Sequence, residues 1–256
     1  MELALQEIYG WLGQLFYPFC RIGAFFMAVP IIGTQLVPTR VRLGLALAVT
    51  VLVAMNIPRT PDVDPFSGES FLIVFHQLML GITMGFLVQL LFHVFVIGGQ
   101  TVAMQNGLGF STLMDPVNGI NVTSISQLYL MSTNLLFFSL NGHLALIELL
   151  SQSFYTLPIA PDGFEIQRFF FVAEQGTWMF RGAVLVALPA VTALLVVNFM
   201  FGVVSRVAPQ MNIIAVGFPF TMVVGLIIIW LTLGNVLPQF ERLSEEMYMM
   251  LRNLVL

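Results

Sequence analysis

An all-α, membrane-associated fold, with about six apolar helical segments and a C-terminal amphipathic helix, is predicted by three features of the sequence. Of 256 residues, 58% are hydrophobic and 9% charged, against roughly 45–50% and about 25% in soluble domains. Nine basic and thirteen acidic residues are too few to cover a water-soluble surface of this size, so lipid or other protein must cover the rest. The apolar residues gather into runs near the ~20 residues that cross a hydrocarbon core of ~30 Å.

The runs read Tyr9–Val29, Val41–Ile57, Phe71–Ile97, Ile125–Leu150, Trp178–Val204 and Ile213–Leu237. Ahead of the first, Glu2 and Glu7 stand where a signal peptide has its basic n-region, so the N-terminus is expected to be retained. Between the second and third, Pro58, Pro61 and Pro65 with Arg59, Asp62, Asp64 and Glu69 forbid a continuous helix and mark a solvated connection. After Pro238, the residues Phe240, Leu243, Met247, Leu251 and Leu254 recur at helical spacing with charges between them. This amphipathic helix is expected on the membrane surface or on a partner, and its acidic polar face disfavours anionic lipid.

Several function classes are excluded. All nine basic residues are arginine, so no P-loop lysine exists. A net charge of -4 without a basic block argues against nucleic-acid binding. Cys20 is the single cysteine and reads as an apolar packing residue. His76, His93 and His143 fit no zinc motif, no Gly-x-Ser-x-Gly elbow occurs, and Gly107 to Thr112 fails Gly-x-Gly-x-x-Gly at its last position. No catalytic residue, metal site or cofactor is expected. Asn121-Val122-Thr123 matches a glycosylation sequon by chance.

Polar residues interrupt the apolar runs in patterns. In the third run Gln77, Gly81, Gly85, Gln89 and His93 recur every four residues, with the small-xxx-small spacing at Gly81 and Gly85 that lets helix backbones approach. In the fourth, Gln127, Asn134, Asn141 and Glu148 recur every seven, a stripe that suits either a helix seam or a pore-lining face. Gly217, Thr221 and Gly225 repeat the small-residue pattern in the sixth run, which Pro219 bends. Arg21, Arg181 and Glu174 lie within or beside apolar runs, as functional charges or as arginines satisfying the carbonyls of helices broken near Pro18 and Pro189. With six spans the loop arginines divide four against three, which assigns no orientation.

From Gly98 to Ser124 the helical periodicity stops, yet the segment stays apolar and glycine-rich. Two readings are open: a re-entrant plug in which Phe110, Leu113 and Met114 fill a lumen, or an extramembrane loop packed on helix ends.

The residues Gly107-Leu108-Gly109-Phe110 running to Asp115-Pro116, then Asn141-Gly142-His143, Ser153-Phe154, Leu157-Pro158, and Arg206 to Asn212 leading into Gly217-Phe218-Pro219 occur in an order that resembles the FliR family. Arg21 followed by Pro30 fits too, and the resemblance covers nearly the whole chain. This family belongs to the flagellar type III protein export apparatus and has counterparts in virulence secretion systems. The resemblance implies a non-enzymatic subunit, one copy per complex, of a protein-conducting gate in the bacterial inner membrane at the core of the flagellar basal body. Its implied partners are FliP-like and FliQ-like subunits, other apparatus membrane proteins that are FlhB-like and FlhA-like, unfolded flagellar export substrates and membrane lipid. It further implies tilted, broken helical hairpins, with residues 1–204 as a FliP-like part and 205–256 as a FliQ-like part. The pore plug would comprise Gly107, Leu108, Gly109, Phe110, Ser111, Thr112, Leu113, Met114, Asp115 and Pro116. Many relatives carry a glutamate where this chain has Gly99-Gln100, and another where it has His76-Gln77. A carboxylate role at those positions does not carry over. The alternative reading is a small-solute or proton-coupled membrane transporter using Glu148, Glu174 and Arg181, although no repeated halves are evident.

Overall fold

Backbone polar groups that cannot reach water must be satisfied internally, and a helix does this within one segment. The computed structural model describes residues 2–34, 36–58, 60–61, 63–109, 111–114, 121–161, 166–207 and 213–255. Within them the order is α1 (Glu2–Ala28), α2 (Thr39–Ala54), α3 (Gly68–Gln105), β1 (Thr112–Met114), β2 (Asn121–Thr123), α4 (Ser124–Ser139), α5 (Gly142–Thr156), α6 (Ile166–Val207), α7 (Ile213–Thr232), a 3-10 turn (Leu233–Asn235) and α8 (Val236–Val255). The strands pair antiparallel, with Thr112 opposite Thr123 and Leu113 opposite Val122.

α3 is apolar on every side; its second half is largely enclosed by other helices, while Phe71, Phe75, Ile82 and Phe86 in its first half stay exposed. Ser67 caps its start by accepting a hydrogen bond from the Ser70 N–H at 3.2 Å. Its neighbours are α1, α4, α6 and α8, and glycines on different faces of α3 let the first three approach. At Gly81 a Cβ would stand 2.3 Å from the Arg21 carbonyl oxygen, and at Gly85 2.5 Å from the Ala28 Cβ, so α1 crosses α3 almost backbone to backbone. Further along, Gly98 faces the Ala183 carbonyl of α6, while Gly99 lies against Ser126 of α4. The Ser126 hydroxyl closes that contact by donating to the Val96 carbonyl at 2.6 Å.

α8 turns Phe240, Leu243, Met247, Leu251 and Leu254 inward and keeps Glu241, Arg242, Glu245 and Arg252 outside. The Phe240 ring meets Phe95 of α3 at 5.9 Å between centroids. The amphipathic helix therefore packs on its own chain, where the sequence suggested a membrane surface or partner: burying an apolar stripe on α3 needs no second molecule. Trp178 and Arg181 of α6 both reach Glu246 of α8, and Arg168 donates to the Leu254 carbonyl near the end of α8.

Of the boundaries that differ from the sequence reading, three shape the fold most. α3 runs on to Gln105 where the apolar run was read to stop at Ile97, because Gly98 and Gly99 serve close packing rather than termination. The run Ile125–Leu150 is two helices bent by 67°. Asn141 at the corner adopts φ 55°, the sole positive φ outside glycine among the described residues, and Asn-Gly is a common sequence for such a turn. α6 begins at Ile166 instead of Trp178. Among the described residues, three helices are long and apolar enough to cross a bilayer, or four if the bent α4–α5 pair counts as one broken span. α2, with 16 residues, is too short for an ordinary span.

Gly81→Ala should separate α1 from α3 and lower stability by about 1–3 kcal/mol, whereas Gly176→Ala, with nothing within 4 Å, should be neutral or slightly stabilising. Thermal unfolding in detergent checks this, and equal midpoints for both variants would refute the close-crossing account.

Candidate functional site

Arg21 is fully buried where α1, α3 and α5 meet. Its Nε donates to Gln77 Oε1 at 2.8 Å, Nη1 donates to the Ser153 carbonyl at 2.8 Å and to Ser153 Oγ at 3.1 Å, and Nη2 donates to the Leu157 carbonyl at 2.8 Å. The guanidinium carbon also stands 4.2 Å from the Phe154 ring centroid. Every acceptor is neutral. The charge is held by the buried carbonyl end of α5, where the helix dipole favours a cation, and by an amide that cannot ionise.

The segment read as a plug starts with a helix stop. The Gly107 N–H bonds to the Met104 carbonyl at 3.2 Å and the Leu108 N–H to the Ala103 carbonyl at 2.9 Å. That pair of bonds, with Gly107 at φ 78°, is a Schellman termination. Leu108 folds back onto the core, and the chain continues into β1 and β2. Ser111 and Ser124 close the base of the hairpin through the Ser124 N–H to Ser111 carbonyl bond at 2.9 Å and a hydroxyl contact at 2.9 Å. Gln100 Oε1 accepts the Thr123 N–H at 3.3 Å, tying β2 to α3. Val122 and Thr123 are buried, while Ser111, Thr112 and Leu113 are exposed, Leu113 by 52%. Phe110, Asp115 and Pro116 lie outside the described residues.

The two polar stripes do not survive as single faces. Gln77, Gly81 and Gly85 are buried towards α1, but a four-residue repeat drifts by about 160° from Gln77 to His93, and Gln89 and His93 end up half-buried, with His93 Nδ1 2.9 Å from the Gln89 carbonyl. The bend at Asn141 splits the second stripe. Gln127 is buried with its Oε1 unpaired, Asn134 is half-buried, and Asn141 and Glu148 are exposed, Glu148 accepting from Gln152 Nε2 at 3.1 Å. Of the three singled-out charges only Arg21 is interior. Glu174 is exposed, and the Arg181 side chain is 65% exposed and 3.5 Å from Glu246. Among the described residues no cluster of histidine, cysteine and carboxylates has the makings of a metal site.

The family described as "Bacterial export proteins, family 1" matches residues 12–247. The chain is similar to the flagellar biosynthetic protein FliR of Escherichia coli K12, 32% identical over 255 residues that cover 100% of this chain and 97% of that one. The chain belongs to the FliR family. FliR of Pectobacterium carotovorum is 35% identical over 250 residues, 97% of this chain and 95% of its own length, and FliR of Aquifex aeolicus is 33% identical over 226 residues, 86% and 84%. Membership makes this FliR-family chain a bacterial export protein of flagellar biosynthesis, and its apolar helices make it a membrane protein.

Sequence reasoning singled out Arg21 and Ser153 but not their union, because residues so far apart are joined only by tertiary packing. It passed over Asn106, although Asn-Gly at the end of an apolar run is a helix-stop signal.

Arg21→Met should leave Gln77 Oε1 and the Leu157 carbonyl without a donor, while the Ser153 carbonyl keeps the Leu157 N–H, and should destabilise the fold by about 2 kcal/mol or more. Gln77→Glu should keep the site, since a carboxylate accepts the same bond with charge assistance. Protease resistance of detergent-solubilised protein reads both; an Arg21→Met chain as resistant as the parent would refute the assignment.

Proposed function

We propose that the chain is a non-enzymatic subunit of the protein-conducting export gate of the flagellar type III secretion system, in the bacterial inner membrane at the core of the flagellar basal body. The observation that carries the reading is the hairpin between α3 and α4: a short piece of non-helical backbone with an exposed leucine, firmly anchored at its base and built into an otherwise helical membrane protein of an export family. Non-helical backbone is tolerated at membrane depth only where protein or water surrounds it. A lumen meets that condition. In this reading Gly107 to Pro116 forms a plug that blocks ions and solutes until unfolded flagellar substrates pass.

The partners proposed are FliP-like and FliQ-like subunits around one copy of this chain, with FlhB-like and FlhA-like apparatus proteins nearby. Residues 1–204 stand as the FliP-like part and 205–256 as the FliQ-like part. The surface of α6 and of the stretch that runs from α7 into α8 supports a subunit role: their most apolar parts are only 22% and 17% buried, against 72% for α3. The transporter alternative gains nothing from the charges, since Glu148 and Glu174 are exposed, Arg181 pairs with Glu246, and Arg21 is engaged by neutral groups elsewhere.

Replacing Gly107 to Met114 with a shorter Gly-Ser linker should raise ion leak across the membrane while mixed complexes still assemble. Conductance of cells producing the full gate, beside native mass spectrometry of the purified complex, tests both halves. Unchanged leak in an assembled complex removes the plug; a chain that ignores FliP-like and FliQ-like partners removes the gate subunit.

A further inference from the structure

Asn106 ends α3 and Gly107 opens the hairpin, and both are gripped by α7. The Asn106 side chain is 3% exposed, yet neither its Oδ1 nor its Nδ2 has a hydrogen-bond partner. Buried amides are seldom left so, because desolvation without compensation is costly. The amide sits in a notch of α7: a Cβ on Gly225 would stand 1.6 Å from Asn106 Oδ1 and 2.4 Å from its Cγ, so the seat exists only because residue 225 is glycine. Seven residues earlier, on the same face of α7, the Phe218 ring lies against Gly107, where a Cβ would come within 2.8 Å of Cε2. α6 contributes an adjoining tie, Asn198 Nδ2 donating to the Gln105 carbonyl at 3.4 Å.

The grip of α7 on this joint is therefore steric, with no hydrogen bond from the Asn106 side chain. A contact held by hydrogen bonds resists separation. This one combines shape complementarity with an amide that gains partners when it leaves.

We infer that α7 is the latch of the hairpin: the Gly225 notch holds Asn106, and hence the base of the hairpin, in the closed position, and a displacement of α7 away from the end of α3 frees it. The inference rests on the plug reading and adds the element that controls it. It assigns Asn106, Gly225 and Phe218 a positioning role, and it makes the coupling run through α7 rather than through the hairpin's own strands.

The test is ion leak and export of a flagellar substrate, both measured in cells producing the complete gate. Gly225→Ala should expel the Asn106 side chain and raise leak severalfold. Combining it with Asn106→Ala removes the atoms that the new methyl meets, and leak should return towards the parent value. Such a rescue would not follow if Gly225→Ala merely misfolded α7. Asn106→Leu keeps the notch filled without an unpaired amide, and should slow export without added leak. Replacement of residues 111–123 by a Gly-Ser linker is the reference. Leak from that replacement with none from Gly225→Ala, or leak from Gly225→Ala that Asn106→Ala does not reverse, overturns the latch and leaves the plug standing. Export at or above the parent rate in Asn106→Leu overturns the role given to the amide. No leak from any variant removes the plug and the latch with it.

Discussion

A buried guanidinium has to be surrounded by fixed dipoles, because it is out of reach of bulk solvent and stays charged. In this chain that requirement is met by one amide and the carbonyl end of one helix, and the positions of three helices follow from it. Gln77 must face α1, which sets the rotation of α3 at that level. One turn later the same face presents Gly81 and then Gly85, where α1 lies against it with almost no side chain between. The carbonyls of Ser153 and Leu157 must face Arg21, which fixes the end of α5. Rotation of α3 at one end carries through a stiff helix to the other, where Gly98 and Gly99 receive α6 and α4 and where the hairpin begins.

Apolar side chains serve two different ends here. Around α3 they make an interior of protein density, including the Phe92–Phe137 and Phe95–Phe240 pairs. On α6 and α7 they face outward, with Leu188, Leu195, Phe199 and Trp230 among those left exposed. Exposed apolar surface of that extent marks contact with lipid or with other subunits. At 38 and 42 residues, α3 and α6 are about 57 Å and 63 Å long, roughly twice the hydrocarbon thickness. Neither stands upright with its whole length in lipid.

Much of this architecture was legible in composition and periodicity, because apolar content and helical spacing are local properties. The amphipathic C-terminal helix shows the extent of this: Phe240, Leu243, Met247, Leu251 and Leu254 are the inward face that their spacing predicts. What the same stripe could not reveal was the surface it covers. Gly81 and Gly85 mark a crossing in the sequence, but the partner helix is a tertiary fact. Asn141 was read as one rung of a seven-residue repeat, and its left-handed backbone broke the helix that the repeat assumed. Residue spacing says which side chains share a face only while the helix continues. The hairpin was legible as a loss of periodicity, whereas the unpaired amide of Asn106 depends on a glycine of α7 more than a hundred positions away in the chain.

Synthesis order gives the Arg21 site a history. Ser153, which supplies two of its acceptors, lies 132 residues further along the chain. At a translation rate of ~5–20 residues per second, a gap of 132 residues leaves the newly made arginine without these acceptors for roughly 7–26 s. During that interval the Arg21 guanidinium cannot be buried without a substitute for them. It must stay in contact with water, with the insertion machinery or with another protein until α5 is made. The N-terminal half of the molecule is therefore completed by its middle, and a ribosome that stalls before Ser153 leaves behind an arginine that has no finished site to enter.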